Sequence, residues 1–163
     1  MLIPAVQFWQ VILALHIAAV VVGFGITFAY PLILLANTRL ERGGMPWFHR
    51  MQLLVGQRVI MPGLLVILLA GIYLASKLHQ WSHFYVGWGL AVTIALGALG
   101  GLFYTPTERR LAELSERDVK AAGDGDVRWS QEYLATRRRW MIGGVAGPLL
   151  VLITVYLMTV QAG

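Results

Sequence analysis

One histidine of this chain lies inside a long apolar stretch. His16 is the one imidazole in ALHIAAVVVGFGITFAY, residues 14–30, which is long enough to cross a membrane. Neutral imidazole is the commonest protein ligand of metals and binds haem iron, and ionisable groups at membrane depth tend to be functional. His16 therefore indicates a site for haem b or a related porphyrin. The alternative is a structural hydrogen bond between helices, to Thr93 or Tyr73.

Two further histidines have the spacing of a possible metal site. His79 and His83, in KLHQWSHF, are four residues apart and could hold a metal ion such as copper from one helical face. No acidic residue stands near them in the sequence, so the ligand set is incomplete. A polar loop at the membrane surface is the simpler interpretation. The methionines are scattered, which is typical of core packing.

A basic residue begins the second apolar stretch. Arg58 precedes Pro62, which is tolerated near a helix start. Arg58 either meets a lipid phosphate or forms an ion pair with an anionic group such as a porphyrin propionate. It belongs to the inner face, whereas His16 belongs to the outer half of the membrane. One haem is therefore not expected to touch both.

Several kinds of chemistry are excluded by what the sequence lacks. It contains no cysteine, so disulfides, iron–sulfur clusters, thiolate zinc sites and covalently attached haem are impossible. It also has no hydrolase triad, phosphate loop or carboxylate pair, and no catalytic residue can be named.

His49, in ERGGMPWFHR, is expected to be exposed at the inner surface.

The elements that must position His16 follow from hydropathy. The chain has 163 residues, 58% of them hydrophobic, and its mean hydropathy is +0.67, which is typical of a membrane protein. Four stretches contain no charged residue, and each is about long enough to span a bilayer as a helix. We predict one all-α domain, a bundle of four transmembrane helices at about 8–36, 59–76, 84–104 and 140–160.

The basic residues predict the orientation of the bundle. Of thirteen Lys and Arg side chains, twelve lie in the first and third connections and only Lys77 lies in the second. By the positive-inside bias, the first and third connections are cytoplasmic and both termini are outside, in the plasma (inner) membrane. The third connection, 105–139, has nearly balanced charge. Its pattern predicts two charged helices separated by a break at AAGDGD, and the first of these helices is expected to begin at Thr107 and Glu108. A nucleic-acid partner is therefore not expected.

Small residues mark the faces that pack inside the bundle. Steps of three or four from His16 give Ala19, Gly23, Thr27 and Tyr30, a small and polar stripe that turns His16 away from lipid. Gly97 with Gly101, and Gly143 with Gly147, form G-x-x-x-G pairs. Such small-residue faces can close one bundle or join two bundles. The lipid bilayer is therefore one expected partner, and a second copy of the chain or other membrane subunits are further possible partners.

Three segments together carry a resemblance to known proteins. They are ILALHIAAVVVGFGITFAYPLIL, FHRMQLLVGQRVIMPGLLVILLAGIYLAS and LGGLFYTPTERRLAEL. They resemble an uncharacterised bacterial family of predicted four-helix integral membrane proteins. More distantly, they are similar to haem-containing protoporphyrinogen oxidases and to copper-resistance membrane proteins.

The oxidase resemblance implies roles for particular residues. It implies that His16 takes part in haem binding and that Arg58 matches an arginine ahead of the helix-two proline. It also requires a lysine near the start of helix three, where HFYVGWGLAV offers Val86, Gly87 and Trp88 instead. That departure argues against the oxidase activity.

Three functions are compatible with these observations. The first is a membrane protein that binds haem b or a porphyrin through His16, for electron transfer or porphyrin handling. The second is a non-catalytic accessory subunit that packs against a larger respiratory or photosynthetic membrane complex. The third is binding or transport of copper or another metal ion.

Overall fold

The computed structural model describes residues 6–37 and 44–161, and these form helices and short connections. In chain order the helices are α1 Phe8–Asn37, α2 Gly44–Val55, α3 Met61–Lys77, α4 Phe84–Leu99, α5 Thr105–Ala122 and α6 Gln131–Gln161. A π-helical segment, Gly56–Ile60, joins α2 to α3 without a break, and a second one, Gly100–Tyr104, joins α4 to α5. The described part of the chain is thus all-helical, as the sequence predicts.

Within residues 6–37 and 44–161, four helical stretches are long and apolar enough to cross a membrane: Phe8–Tyr30, Gly44–Lys77, Phe84–Ala122 and Gln131–Val160. This confirms the predicted four-helix membrane architecture. The second stretch has 34 residues and the third has 39. At ~1.5 Å per residue they are roughly 50 and 60 Å long, well beyond the ~30 Å of bilayer hydrocarbon. Their charged ends therefore extend past the membrane, and the spanning segments are the uncharged stretches.

The predicted element boundaries need correction at these charged ends. Helix two begins at Gly44 and not near residue 59, because Pro46 lies in the first turn of α2, where its missing N–H is tolerated. Helix three continues as α5 through Thr107 and Glu108, which do not start a helix. The break at AAGDGD is confirmed, since α5 ends at Ala122 and Gly123 adopts a φ of 53°, which favours glycine.

Within the bundle α1 packs against α3, α3 against α4, and α4 against α6. The small-residue stripe of α1 faces inward, as predicted. A Cβ atom built on Gly63 would lie 3.5 Å from the Cα atom of Gly23, so the backbones of α1 and α3 are in near contact. Close packing at this point orients the stripe that also carries His16.

The charged ends of the helices form a packed unit of their own, which we call the charged layer: residues 44–55, 105–122 and 131–139. Here α2 packs against α5, and α5 against α6. Phe48, Leu111 and Tyr133 are fully buried at its centre. Ion pairs cross its surface, from Arg50 to Glu116 and from Arg110 to Glu132.

The burial of His49 in the charged layer corrects the expectation that it is exposed. Its side chain has no accessible surface, because α2 is amphipathic and presents Met45, Phe48, His49 and Gln52 to α5 and α6. These positions follow the i, i+3, i+4, i+7 spacing of one helical face. His49 therefore contributes to the core of the layer.

Candidate functional site

His16 is held by a hydrogen bond between α1 and α3. Its Nδ1 atom lies 3.1 Å from the carbonyl oxygen of Ile67. The predicted partners Thr93 and Tyr73 do not make this bond, and the Thr93 hydroxyl donates to the carbonyl of Gly89 on its own helix. The structural hydrogen bond that the sequence suggested is thus present, but its acceptor is backbone.

This contact determines the protonation of the imidazole. A carbonyl oxygen only accepts hydrogen bonds, so Nδ1 of His16 carries a hydrogen. The neutral ring then has its lone pair on Nε2. Among the described residues nothing forms a hydrogen bond with Nε2. Metal-ligating histidines have this arrangement, with one ring nitrogen donating to a carbonyl and the other on the metal.

His16 lines a cavity of about 370 Å³, the His16 cavity, to which α1, α3, α4 and α6 all contribute. Its wall is largely apolar, and none of the described residues that line it is charged. Gln80 and Trp81 line it at the connection between α3 and α4. This size and composition suit a largely apolar ligand that is oriented by a few polar groups.

The structure does not bring the other predicted site residues to His16. Arg58 is exposed in the π-helical segment and does not line the His16 cavity. His79 is exposed and has a φ of 56° in the turn after α3, while the ring of His83 stacks on Tyr85 with centroids 5.5 Å apart. Across the described residues, no three His, Cys, Asp or Glu side chains are grouped as a metal site.

A second cavity, of about 240 Å³, contains polar groups that sequence reasoning missed. This Glu108 cavity is lined by α1, α6 and both π-helical segments. Glu108 is only 6% exposed, and its Oε1 atom accepts a hydrogen bond from the indole nitrogen of Trp140 at 3.4 Å. Trp140 is itself buried.

Two other polar groups of the Glu108 cavity are buried without a hydrogen-bond partner in the described chain. They are the hydroxyl of Tyr30 and the Nε atom of Arg137. No ion pair joins Arg137 to Glu108 among the described residues. Buried polar groups are nearly always paired in proteins, so unpartnered ones in a cavity wall call for an explanation.

The backbone around the Glu108 cavity is unusual as well. Gly56 and Ile60 from the first π-helical segment, and Gly100 and Tyr104 from the second, line it. Single-turn π-helical insertions occur frequently at functional sites. Phe24 and Leu96 line both cavities, so the two are neighbours along the bundle.

The signal that could have revealed Glu108 is its place on a helical face. The buried residues of α5 include Glu108, Leu111, Ala112, Ser115 and Asp118, which recur at spacings of three and four. Glu108 thus stands on the buried stripe. The sequence prediction placed Glu108 at a helix start in the third connection and so missed this position.

These features define the class of protein: a polytopic integral membrane protein, built as a four-helix bundle with a packed charged layer at one end. The chain belongs to the DUF2269 family of predicted integral membrane proteins, whose family model matches residues 10–162. No curated protein and no solved structure matches it.

Proposed function

We propose that the His16 cavity binds haem b and that Nε2 of His16 would hold its iron. The observation that carries this proposal is the hydrogen bond from Nδ1 of His16 to the Ile67 carbonyl. It orients the ring, and it leaves the lone pair on Nε2 available for a metal. The distant resemblance to haem-containing oxidases supports the same role for this histidine.

The fit of the cavity to a porphyrin rests on its lining. The aliphatic and aromatic side chains of the wall suit the faces of a porphyrin macrocycle, and four helices surround the cavity. The described lining offers no charged partner for the propionates, and Gln80 and Trp81 would supply polar contacts to them. Arg58 has no part in this arrangement, because it does not reach the cavity.

The bound group and the chain have separate roles in this proposal. Haem supplies a one-electron redox centre when it is bound. The protein holds the ring of His16, excludes water from the apolar wall and sets the polarity around the iron. No second histidine lines the cavity among the described residues, so His16 is proposed as the single imidazole ligand. Electron transfer and porphyrin handling both remain compatible with such a site.

The test is haem binding by purified protein. The chain is expressed with haem supplementation, purified in detergent, and examined by absorption spectroscopy in oxidised and reduced states. We expect a Soret band in the wild type, its loss in His16→Ala, and its retention in His83→Ala, which removes an exposed histidine outside the cavity. Size-exclusion chromatography verifies that each variant is folded. A wild type without a Soret band after haem loading, or an unchanged band in folded His16→Ala, overturns the proposal.

A further inference from the structure

The Glu108 cavity has a polar wall that haem binding at His16 does not use. We propose that it binds the ring headgroup of an isoprenoid quinone or quinol, with the tail of that molecule in the surrounding lipid. The polar groups, the size and the lateral opening of the cavity each support this assignment.

The polar groups of the cavity present both donors and an acceptor to a ligand. The Tyr30 hydroxyl and the Arg137 Nε–H are buried and unpartnered in the described chain, so both are free to donate. The Oε2 atom of Glu108 has no hydrogen bond among the described residues, since Trp140 is bonded to Oε1. These groups lack hydrogen bonds in the folded chain, which costs stability. A ligand that accepts one hydrogen bond and donates another would satisfy them.

The charges on the wall select a neutral headgroup. Glu108 and Arg137 both line the cavity, and no ion pair between them is present in the described chain. An anionic headgroup, such as a fatty acid carboxylate, would pair with Arg137 but be repelled by ionised Glu108, and a cationic headgroup would pair with Glu108 but be repelled by Arg137. A neutral headgroup that both accepts and donates hydrogen bonds meets neither repulsion. A quinone carbonyl accepts from Tyr30 or Arg137, and a quinol hydroxyl donates to Glu108, without a net charge.

The size of the cavity suits a substituted ring. An apolar cavity of roughly 150 Å³ accommodates benzene. At about 240 Å³ the Glu108 cavity has room for a six-membered ring with several substituents. Phe24, Leu64 and Leu96 provide apolar wall, which such a ring would contact on its faces.

The tail has a path to the lipid. Met141 and Val145 line the cavity, yet they are 45% and 58% exposed on the surface of α6. The cavity is therefore open between helices at this point, and Gly144 leaves it unobstructed, because no atom lies within 4 Å of a Cβ built there. Isoprenoid quinones are dissolved in the bilayer, so they reach such an opening directly.

The experiment measures binding of decylubiquinone to the full chain in detergent by isothermal titration calorimetry, with empty micelles as the baseline. The informative variant is Tyr30→Phe, which removes a hydroxyl that bonds to no described residue and so leaves the fold intact. We expect saturable binding by the wild type and an affinity about fivefold or more weaker in Tyr30→Phe. The matched control is Tyr156→Phe, which removes the hydroxyl of an exposed tyrosine of α6 that lines neither cavity, so its affinity should equal that of the wild type.

Two further measurements keep the result specific. Decylbenzene has the tail and a ring but no oxygens, and it should compete poorly. His16→Ala should bind decylubiquinone like the wild type, because His16 lies in the other cavity. Binding that does not exceed that of empty micelles, equal affinity of Tyr30→Phe and wild type, or full competition by decylbenzene overturns the proposal.

Discussion

The Nε2 atom of His49 lies 3.1 Å from the hydroxyl oxygen of Tyr133, and this contact joins α2 to α6 at the centre of the charged layer. Nδ1 of His49 lies 3.3 Å from the side-chain oxygen of Gln52, so Nδ1 carries the hydrogen and Tyr133 donates to Nε2. Both ring-bearing side chains are completely buried. Burial lowers the pKa of His49 to about 4. The hydrogen bond to Gln52 acts in the opposite direction and raises the pKa, whereas the nearby charge of Arg137 lowers it further.

The charged layer should therefore loosen in mild acid. In the unfolded chain His49 takes up a proton near pH 6.5, but in the folded chain only near pH 4. The stability due to neutral His49 is thus fully present above pH 6.5 and is lost as the pH falls toward 4, by roughly 3 kcal/mol in total. Amide hydrogen exchange of residues 44–55 and 131–139, corrected for intrinsic rates, should show falling protection between pH 7 and about pH 4.5.

The matched variants for this pH effect are His49→Gln and His79→Gln. His49→Gln removes the buried titrating group, so the exchange protection of residues 44–55 and 131–139 should depend much less on pH in this variant. His79 is exposed, and His79→Gln should behave like the wild type. If His49→Gln and the wild type lose protection in parallel, another group is responsible for the effect.

Two adjacent glycines of α6 should respond oppositely to alanine. A Cβ on Gly143 would lie 2.8 Å from the Phe103 ring, whereas a Cβ on Gly144 meets no atom within 4 Å. Gly143→Ala should destabilise the bundle by about 1–3 kcal/mol, because a packed ring must move. Gly144→Ala should be neutral, or more stable by up to about 1 kcal/mol through helix propensity. Unfolding in mixed micelles with SDS measures both, and equal stabilities would contradict tight packing of α6 against Phe103.

The predictable part of this fold is the part governed by hydropathy and residue size. Uncharged stretches predicted the four spans, because a backbone in lipid must form its hydrogen bonds within a helix. Small residues predicted the inward stripe of α1, because only they allow the close approach of Gly23 to Gly63. His16 could be placed on the packed face for the same reason.

The Glu108 cavity was beyond such reasoning. A charged residue next to a charged connection reads as exposed, and only the packing of α2 and α6 around α5 shows that Glu108 is buried. The two π-helical segments are not marked by hydropathy or by charge, yet both line this cavity. Likewise, the backbone carbonyl of Ile67 as partner of His16 depends on how α1 and α3 meet, which side-chain types alone do not specify.

The membrane orientation predicted from the basic residues can be tested with single cysteines, since the chain has none of its own. Ser82 and Asp124 are exposed in connections at opposite ends of the bundle. In intact cells, a membrane-impermeant maleimide should label Ser82→Cys and should leave Asp124→Cys unlabelled until the cells are opened. The reverse pattern would invert the predicted topology.

The contact between Gly71 and His16 predicts that haem binding can be weakened without removing the ligand. A Cβ on Gly71 would lie 3.4 Å from Cε1 of His16, which is ordinary contact, so Gly71→Ala should be tolerated. The branched side chain of Gly71→Val would press the ring away from the Ile67 carbonyl that orients it. We expect a haem affinity about 10- to 100-fold lower in Gly71→Val, the range seen when an orienting partner of a metal ligand is lost.

Gly87→Val is the control, because no atom lies within 4 Å of its Cβ position. Haem titration followed at the Soret band measures all three variants, and equal affinities for Gly71→Val and Gly87→Val would show that the orientation of His16 does not govern binding.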